Sequence, residues 1–309
     1  MLVIRGHQHV PAWPAAAVAI GNFDGVHVGH RALIRRAREL AAACGPDTRT
    51  VALTFDPHPA AVLAPAAAPV QLASLARRCE LLGDAGAEVV VVEPFTRELA
   101  ALAPDAFVDA IVLGSLRARE IVVGYDFKYG RGGAGTIESL RAHGERAGVA
   151  VEVVAPVQAD GEVASSTRVR AHLRAGELAA AEQLLGRRWD VDGIVVRGAQ
   201  RGRAIGIPTA NIRPDSDLPL APGIYACTLA VTGEAPRAAV ASLGTNPTFV
   251  ASGDLVLEVH VLEFSGDLYD RHVRVAFAAY LRAEAKFDSV AALVAQIHLD
   301  IAAARAVLS

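Results

Sequence analysis

Cysteine is scarce and unpatterned: Cys44, Cys79 and Cys227 are scattered, and no Cys-x-x-Cys occurs. This argues against a zinc site or a disulfide framework and points to a reducing compartment. Positive charge is not in surplus either. A formal net charge of −3 and a pI near 6.4 argue against nucleic acid or an anionic membrane as partner, because such binders carry a basic patch. Any anionic ligand must therefore be met by local groups. No apolar run reaches about 18 residues, and the N-terminus lacks a signal-peptide layout, so a cytoplasmic protein is expected. There is no Gly-x-x-x-x-Gly-Lys-Ser/Thr, hence no Walker P-loop. No internal repeat or low-complexity linker is evident, and 309 residues predict two closely joined domains.

What is present is organised around Ile20-Gly21-Asn22-Phe23-Asp24-Gly25-Val26-His27-Val28-Gly29-His30. An apolar run from Ala15 to Ile20 leads into it. Leu33, Ile34, Ala37, Leu40 and Ala41 follow at helical spacing, and Gly45-Pro46 supplies a stop. The reading is strand, glycine turn, helix start. His27 and His30, three apart, can share a helix face at an N-terminus, where free N–H groups and the helix dipole favour a phosphate. A bare His-x-x-His is more often a pair of surface residues; the surrounding glycine pattern shifts the balance towards a site.

Further β-branched runs at Val51 to Phe55, Val89 to Val92, Ile121 to Val123 and Val151 to Val154 alternate with helical patterns, which predicts a parallel sheet covered by helices on both faces. Ligands in such sheets lie beyond the carboxyl ends of the strands. The segments found there are Thr54-Phe55-Asp56-Pro57-His58-Pro59, the glycine-rich Gly124-Tyr125-Asp126-Phe127-Lys128-Tyr129-Gly130, and Ser165-Ser166-Thr167-Arg168-Val169-Arg170. Alone, the first is an ordinary turn and the hydroxyls of the last are N-caps. Beside a nucleotide site, phosphate binding is the better reading of the last.

Two short helices broken near Gly176 are expected between Val169 and Leu185, with a domain boundary at about 187. Beyond it, the runs Val191 to Val196, Tyr225 to Val231, Ala238 to Leu243, Leu255 to Leu262 and Val273 to Tyr280 lack intervening long helices and predict an antiparallel sheet or small barrel. A final helix capped by Asp288 or Ser289 would dock through Val290, Leu293, Val294, Ile297 and Ile301. The loop Arg197 to Ile207, with Gly202 and Arg203, can cover phosphates. If Pro208 to Asn211 is extended, Thr209 and Asn211 point to one side and offer oxygen ligands to Mg²⁺. Strand alternation sets Glu258 and His260 opposite Leu257, Val259 and Val261, leaving Glu258 either solvated or facing a site.

These motifs, in this order and over nearly the whole chain, resemble the bifunctional FAD synthetases, which join an FMN adenylyltransferase module to a riboflavin kinase module. The resemblance implies an α/β class: a Rossmann-like nucleotidyltransferase sheet over 1–187, then an antiparallel β-barrel kinase domain with a terminal helix over 188–309. It implies ATP contacts from Gly21, Phe23, His27, Gly29, His30, Ser166, Thr167 and Arg170, and flavin contacts from His58, Asp126 and Phe127. In the second module it implies ATP contacts from Gly202, Arg203, Thr209 and Asn211, Mg²⁺ on Thr209 and Asn211, and Glu258 as the base. Riboflavin, FMN and ATP are the implied small-molecule substrates. Ile207 stands where phenylalanine is usual, Leu255-Val256 replaces Arg-Thr, and Thr136 replaces a frequent aspartate. The alternatives are a protein with one active module or another phosphorylated acceptor, and a flavin-binding regulator without catalysis.

Overall fold

A computed structural model describes residues 1–198, 200, 202, 205–245 and 255–309. By contacts the chain divides into two compact units, Met1–Pro69 with Leu75–Ala164, and Val70–Ser74 with Ser165–Ser309.

The first unit is built on a six-stranded parallel sheet in the order β1-β4-β3-β2-β5-β6. Its strands are β1 (Leu2–Arg5), β2 (Ala15–Ile20), β3 (Thr48–Asp56), β4 (Val89–Pro94), β5 (Ala118–Gly124) and β6 (Ala150–Val154). Five match the predicted runs; β1 is an additional edge strand, too short to show a period. In the central strands both faces are buried, as a parallel sheet requires, but the two faces differ in size. Val18, Ile20, Val51 and Leu53 fill one core, whereas Ala17, Ala19 and Ala52 line the other. On that alanine face lies helix α1 (Val28–Cys44), whose Leu33, Ile34, Ala37 and Ala41 complete the core. Gly45 ends it at φ 119°, a conformation that favours glycine.

Topology selects the place where a ligand binds. From β2 the chain moves outward through β3 to β4, then returns to lay β5 on the other side of β2. The crevice at the carboxyl ends of β2 and β5 is therefore the switch point of the sheet. The histidine turn follows β2, and the Gly124 loop follows β5.

The second unit contains a closed antiparallel barrel, β10-β13-β12-β11-β14-β9. Its strands are β9 (Asp190–Val196), β10 (Ala210–Pro214), β11 (Gly223–Val231), β12 (Arg237–Thr245), β13 (Leu255–Val261) and β14 (His272–Arg282); β7 (Gln158–Ala159) and β8 (Glu162–Val163) form a small hairpin in the first unit. Closure leaves no open edge. Tyr225, Cys227, Leu257, Val259, Val275 and Phe277 are buried, with Tyr225 and Trp189 packed on Phe277. β10 was not among the predicted runs, because its alternation spans five residues and ends in Arg213-Pro214.

Helices Ser166–Ala175 and Leu178–Leu185 break at Gly176 as expected, in the left-handed region at φ 77°. They fall with the barrel, so the contact boundary lies at Ala164/Ser165, ahead of the division expected near 187. The reason is local packing: a Cβ on Gly176 would come within 3.2 Å of the Tyr280 ring, Arg170 Nε donates to the Val70 carbonyl (2.6 Å), and Trp189 Nε1 donates to the Leu72 carbonyl (2.9 Å).

The C-terminal helix, Val290–Leu308, is capped by Ser289, whose hydroxyl accepts from Ala292 N (3.1 Å). The predicted stripe holds apart from its first residue: Leu293, Val294 and Ile297 are half-buried, and Ile301 packs with Ala304 and Leu308 on the outer faces of β11 and β12 at Ile224, Ala226 and Val240, while Val290, at the helix start, is 62% exposed. A polar anchor adds to the apolar contacts: Arg282 on β14 grips Asp300 bidentately (Nε–Oδ1 2.9 Å, Nη2–Oδ2 2.7 Å), and Gln296 also donates to Asp300. Among the described residues this helix alone is long and apolar enough to cross a membrane by length and composition. Asp300→Ala would leave the Arg282 guanidinium without its partner, a loss of about 3 kcal/mol for a buried pair. Amide exchange along Val290–Leu308 is expected to accelerate roughly 10²-fold, and unchanged protection would assign docking to the apolar contacts alone.

Candidate active sites

Between β2 and α1 the backbone takes an unusual path. Phe23 (φ 52°), Gly25 (φ 76°) and Val26 (φ 44°) all lie at positive φ, which for a β-branched residue is a steric outlier. Such strain survives only where surroundings over-determine it. Here the Phe23 and Val26 side chains are fully buried, and the Asn22 carbonyl accepts from Thr54 Oγ1 (3.0 Å) and from Arg78 Nη1 (3.0 Å).

The turn delivers His27 as the N-cap of α1, its Nδ1 accepting from His30 N (3.3 Å). An acceptor Nδ1 places the proton on Nε2, so His27 keeps one N–H to donate. The His30 ring stacks on that of His27 with centroids 3.6 Å apart, and the Phe23 edge meets it at 5.3 Å. Gly29 is needed for this approach: a Cβ there would lie 3.0 Å from His27 Cε1. Burial lowers the His27 pKa to about 4; burial, then His27 and Arg78, push His30 well below its usual value. Both imidazoles are therefore neutral at pH 7.

The remaining expected residues of this unit occupy distinct settings. Gly21 is half-buried and its N–H closes onto the Leu53 carbonyl. The Phe23 ring lies within the core, so it supports His30 instead of facing a ligand. His58 caps the short helix Pro59–Leu63, its Nδ1 accepting from Ala60 N (3.1 Å). Asp126 is exposed after β5; beside it the half-buried Phe127 stacks on Tyr129 at 5.6 Å, with Phe107 and Phe55 continuing the aromatic row. Thr136 forms a capping box with Ser139 at the start of Ile137–Ala147.

In the second unit, Ser165 supplies the N-cap of Ser166–Ala175, which leaves Ser166 half-buried and Thr167 exposed in its first turn; Arg170 is buried. On the barrel, Asn211 stands directly opposite Glu258, and Glu258 opposite Ser242. All three are half-buried on the outer face, because their neighbours Ala210, Ile212, Leu257 and Val259 point inward. A glycine loop covers this face. A Cβ on Gly198 would fall 2.3 Å from Asn211 Nδ2, and one on Gly202 2.2 Å from the Ile207 carbonyl oxygen and 3.6 Å from Thr209 Oγ1. His260 Nδ1 lies 2.7 Å from the Pro208 carbonyl oxygen, consistent with a donated hydrogen bond at the loop's end. Ile207 is buried. Arg203 and Asn246 to Phe249 lie outside the described residues.

Each unit thus carries a set of groups suited to phosphate chemistry, and comparison with known proteins gives the family. The FAD synthetase family model matches residues 9–168, and the riboflavin kinase model matches 185–308. The chain belongs to the bifunctional riboflavin kinase/FMN adenylyltransferase family. Relatives of that name from Pseudomonas fluorescens and Escherichia coli K12 are 38% and 36% identical, each aligned over 99% of this chain and 97% of its own length. A crystal structure described as a macrolide-efflux protein from Streptococcus pneumoniae superposes with TM-score 0.85 at 30% identity, covering 99% of both chains.

Sequence reasoning missed Arg78, and took Thr54 and Gly198 only as members of the segments 54–59 and 197–207. Arg78 left a signal, a charged residue inside the apolar stripe Leu75, Cys79, Leu82 of the helix Leu75–Asp84. The neutral histidines carry a pH signature. An unfolded histidine titrates near 6.5 while folded His27 stays neutral to about 4, so its stabilisation is complete above pH 6.5 and is lost as pH falls towards 4. The contribution is up to about 3 kcal/mol. Urea unfolding of the wild type is expected to shift to lower midpoints across that window, with a shallower dependence in His27→Gln; equal slopes would contradict burial of a neutral imidazole.

Proposed function

We propose that the two reactions of this family are divided between two stretches of the chain, with residues 1–187 making FAD from FMN and residues 188–309 making FMN from riboflavin, each at the expense of ATP. In adenylyl transfer an FMN phosphate oxygen attacks the α-phosphorus of ATP, and the bond to the β-phosphate breaks so that pyrophosphate leaves with the electron pair. No covalent enzyme intermediate is required. The chain's part is to hold the two substrates in line and to donate hydrogen bonds where negative charge grows. The observation that carries this reading is the stacked pair of buried His27 and half-buried His30 at the start of α1, beside the switch point. Neutral donors in a dry setting strengthen towards the transition state without binding the ground state as cations would. Ser166, Thr167 and Arg170 are proposed as further ATP contacts, and the half-buried Phe127 with Asp126 and His58 as the flavin side.

In the kinase unit the ribityl 5′-hydroxyl attacks the γ-phosphorus of ATP, ADP leaves, and Glu258 accepts the hydroxyl proton. The Asn211–Glu258 pairing supports this, since it sets a base beside an oxygen donor under the glycine loop. Mg²⁺ is proposed on Thr209 and Asn211. The donor set fits: a hydroxyl and an amide oxygen suit a hard cation, and the missing side chain of Gly198 leaves the Asn211 amide room to turn. When bound, the ion would neutralise phosphate charge. The substrates are riboflavin, FMN and ATP, and a cytoplasmic location follows from them. The efflux description of the pneumococcal structure is set aside, because the FAD synthetase and riboflavin kinase family models both match this chain.

Incubation with riboflavin and Mg-ATP is expected to yield FMN and then FAD by chromatography. FMN alone would mean an inactive first unit, and tight flavin binding without turnover would support a regulatory protein. His30→Ala should reduce FAD formation roughly 10²-fold while FMN formation persists. Glu258→Ala should abolish FMN formation yet leave adenylation of supplied FMN largely intact. Loss of both activities in either variant would contradict the assignment to separate units.

A further inference from the structure

Arg78 is nearly inaccessible, yet it is neither a core residue by chemistry nor part of the motifs above. It rises from the helix Leu75–Asp84 into the space beneath the histidine turn. Nη1 donates to the Asn22 carbonyl at 3.0 Å, Nη2 lies 3.6 Å from Asp56 Oδ1, and Nε is buried without a hydrogen-bond partner. Asp56 in turn lies 3.6 Å from Arg5, at the end of β3. Burying a guanidinium with an unmet donor costs free energy, and removing it by evolution to leucine would complete the apolar stripe around it. Retention at such a cost needs a return that packing does not supply.

The acceptor indicates what that return is. The Asn22 carbonyl precedes the residues at positive φ, and strain of this kind persists only where surrounding contacts hold it. Two donors from different elements, Thr54 on β3 and Arg78 on the Leu75–Asp84 helix, converge on that one oxygen. They fix where the turn leaves β2 and therefore where His27 and His30 stand. Asp24, inside the turn, also acts on the guanidinium, as does Asp56; an arginine stays charged even when burial lowers its pKa.

We propose that Arg78 is a positioning residue for adenylyl transfer, clamping the Asn22 carbonyl and Asp56 so that the strained turn presents its histidine pair, with a fixed positive charge held behind them. The proposal rests on the reading that this pair serves adenylyl transfer. A clamp acting on transition-state donors affects turnover more than substrate binding.

The full chain provides its own control, because the kinase activity does not use this turn. In Arg78→Met, kcat for FAD formation from supplied FMN is expected to fall at least about tenfold, with KM for ATP and FMN changed less than about threefold and FMN formation from riboflavin within about twofold of wild type. Arg78→Lys keeps the charge but cannot span two acceptors, so it should recover part of the loss. Thr54→Val, which removes the other donor to Asn22 with little change of shape, should lower kcat in the same sense. Several outcomes overturn the proposal: Arg78→Met with normal kcat, a rise in KM at unchanged kcat, an equal fall of both activities, or Arg78→Lys no better than Arg78→Met. Normal FAD formation by His30→Ala in the same assay would instead refute the reading beneath it.

Discussion

The first unit depends on a single backbone constraint: the passage from β2 to α1 through residues that few sequences tolerate at positive φ. Everything that makes a site there follows from it. The turn brings His27 to the N-cap, commits one imidazole nitrogen to the helix backbone, and leaves the other to donate. It also forces the ring of His30 against that of His27, which is possible only because residue 29 has no side chain. The surrounding contacts, from Thr54, Arg78 and the buried Phe23, are what a strained segment requires to persist.

The electrostatics of this arrangement favour a donor role. Two stacked imidazoles beside a guanidinium cannot both be protonated without mutual repulsion, and burial removes the solvent that would relieve it. The pair is thus held neutral, and in the proposed site it would offer directional hydrogen bonding rather than net charge. This agrees with a chain whose overall charge is slightly negative and whose anionic substrates must be met by local geometry.

The barrel solves a related problem differently. Its interior is filled with side chains, so the proposed site lies on the outer face, among the alternate residues of β10, β12 and β13. A glycine-bearing loop covers that face, and its close approach to Asn211 explains why Gly198 carries no side chain. The C-terminal helix covers another part of the outer surface, anchored through Asp300 and Arg282. One fold therefore uses its outer faces both for packing and for the proposed site.

Much of this was legible in the residues. Periodicity of two and of 3.6 located five parallel strands, α1 and most of the barrel, because each segment is long enough to show its buried face. The glycine–histidine turn and the Thr209, Asn211 and Glu258 set could be singled out for another reason: they resemble family motifs, whose residue types recur in a fixed order. Tertiary structure alone decided what depends on partners distant in sequence. β1 and β10 are too short to declare themselves and exist through pairing with β4 and with β9 and β13. Val290 lies outside the packed part of the last helix because it is the first helical residue, whereas Ile301, Ala304 and Leu308 reach the barrel. The short helices after Ala164 went with the barrel through contacts at Gly176, Arg170 and Trp189. Arg78 acquires meaning only when folding carries it to a carbonyl 56 residues away. Local pattern determined which elements and chemical groups this protein has; long-range packing decided which of them stand close enough, and dry enough, to act together.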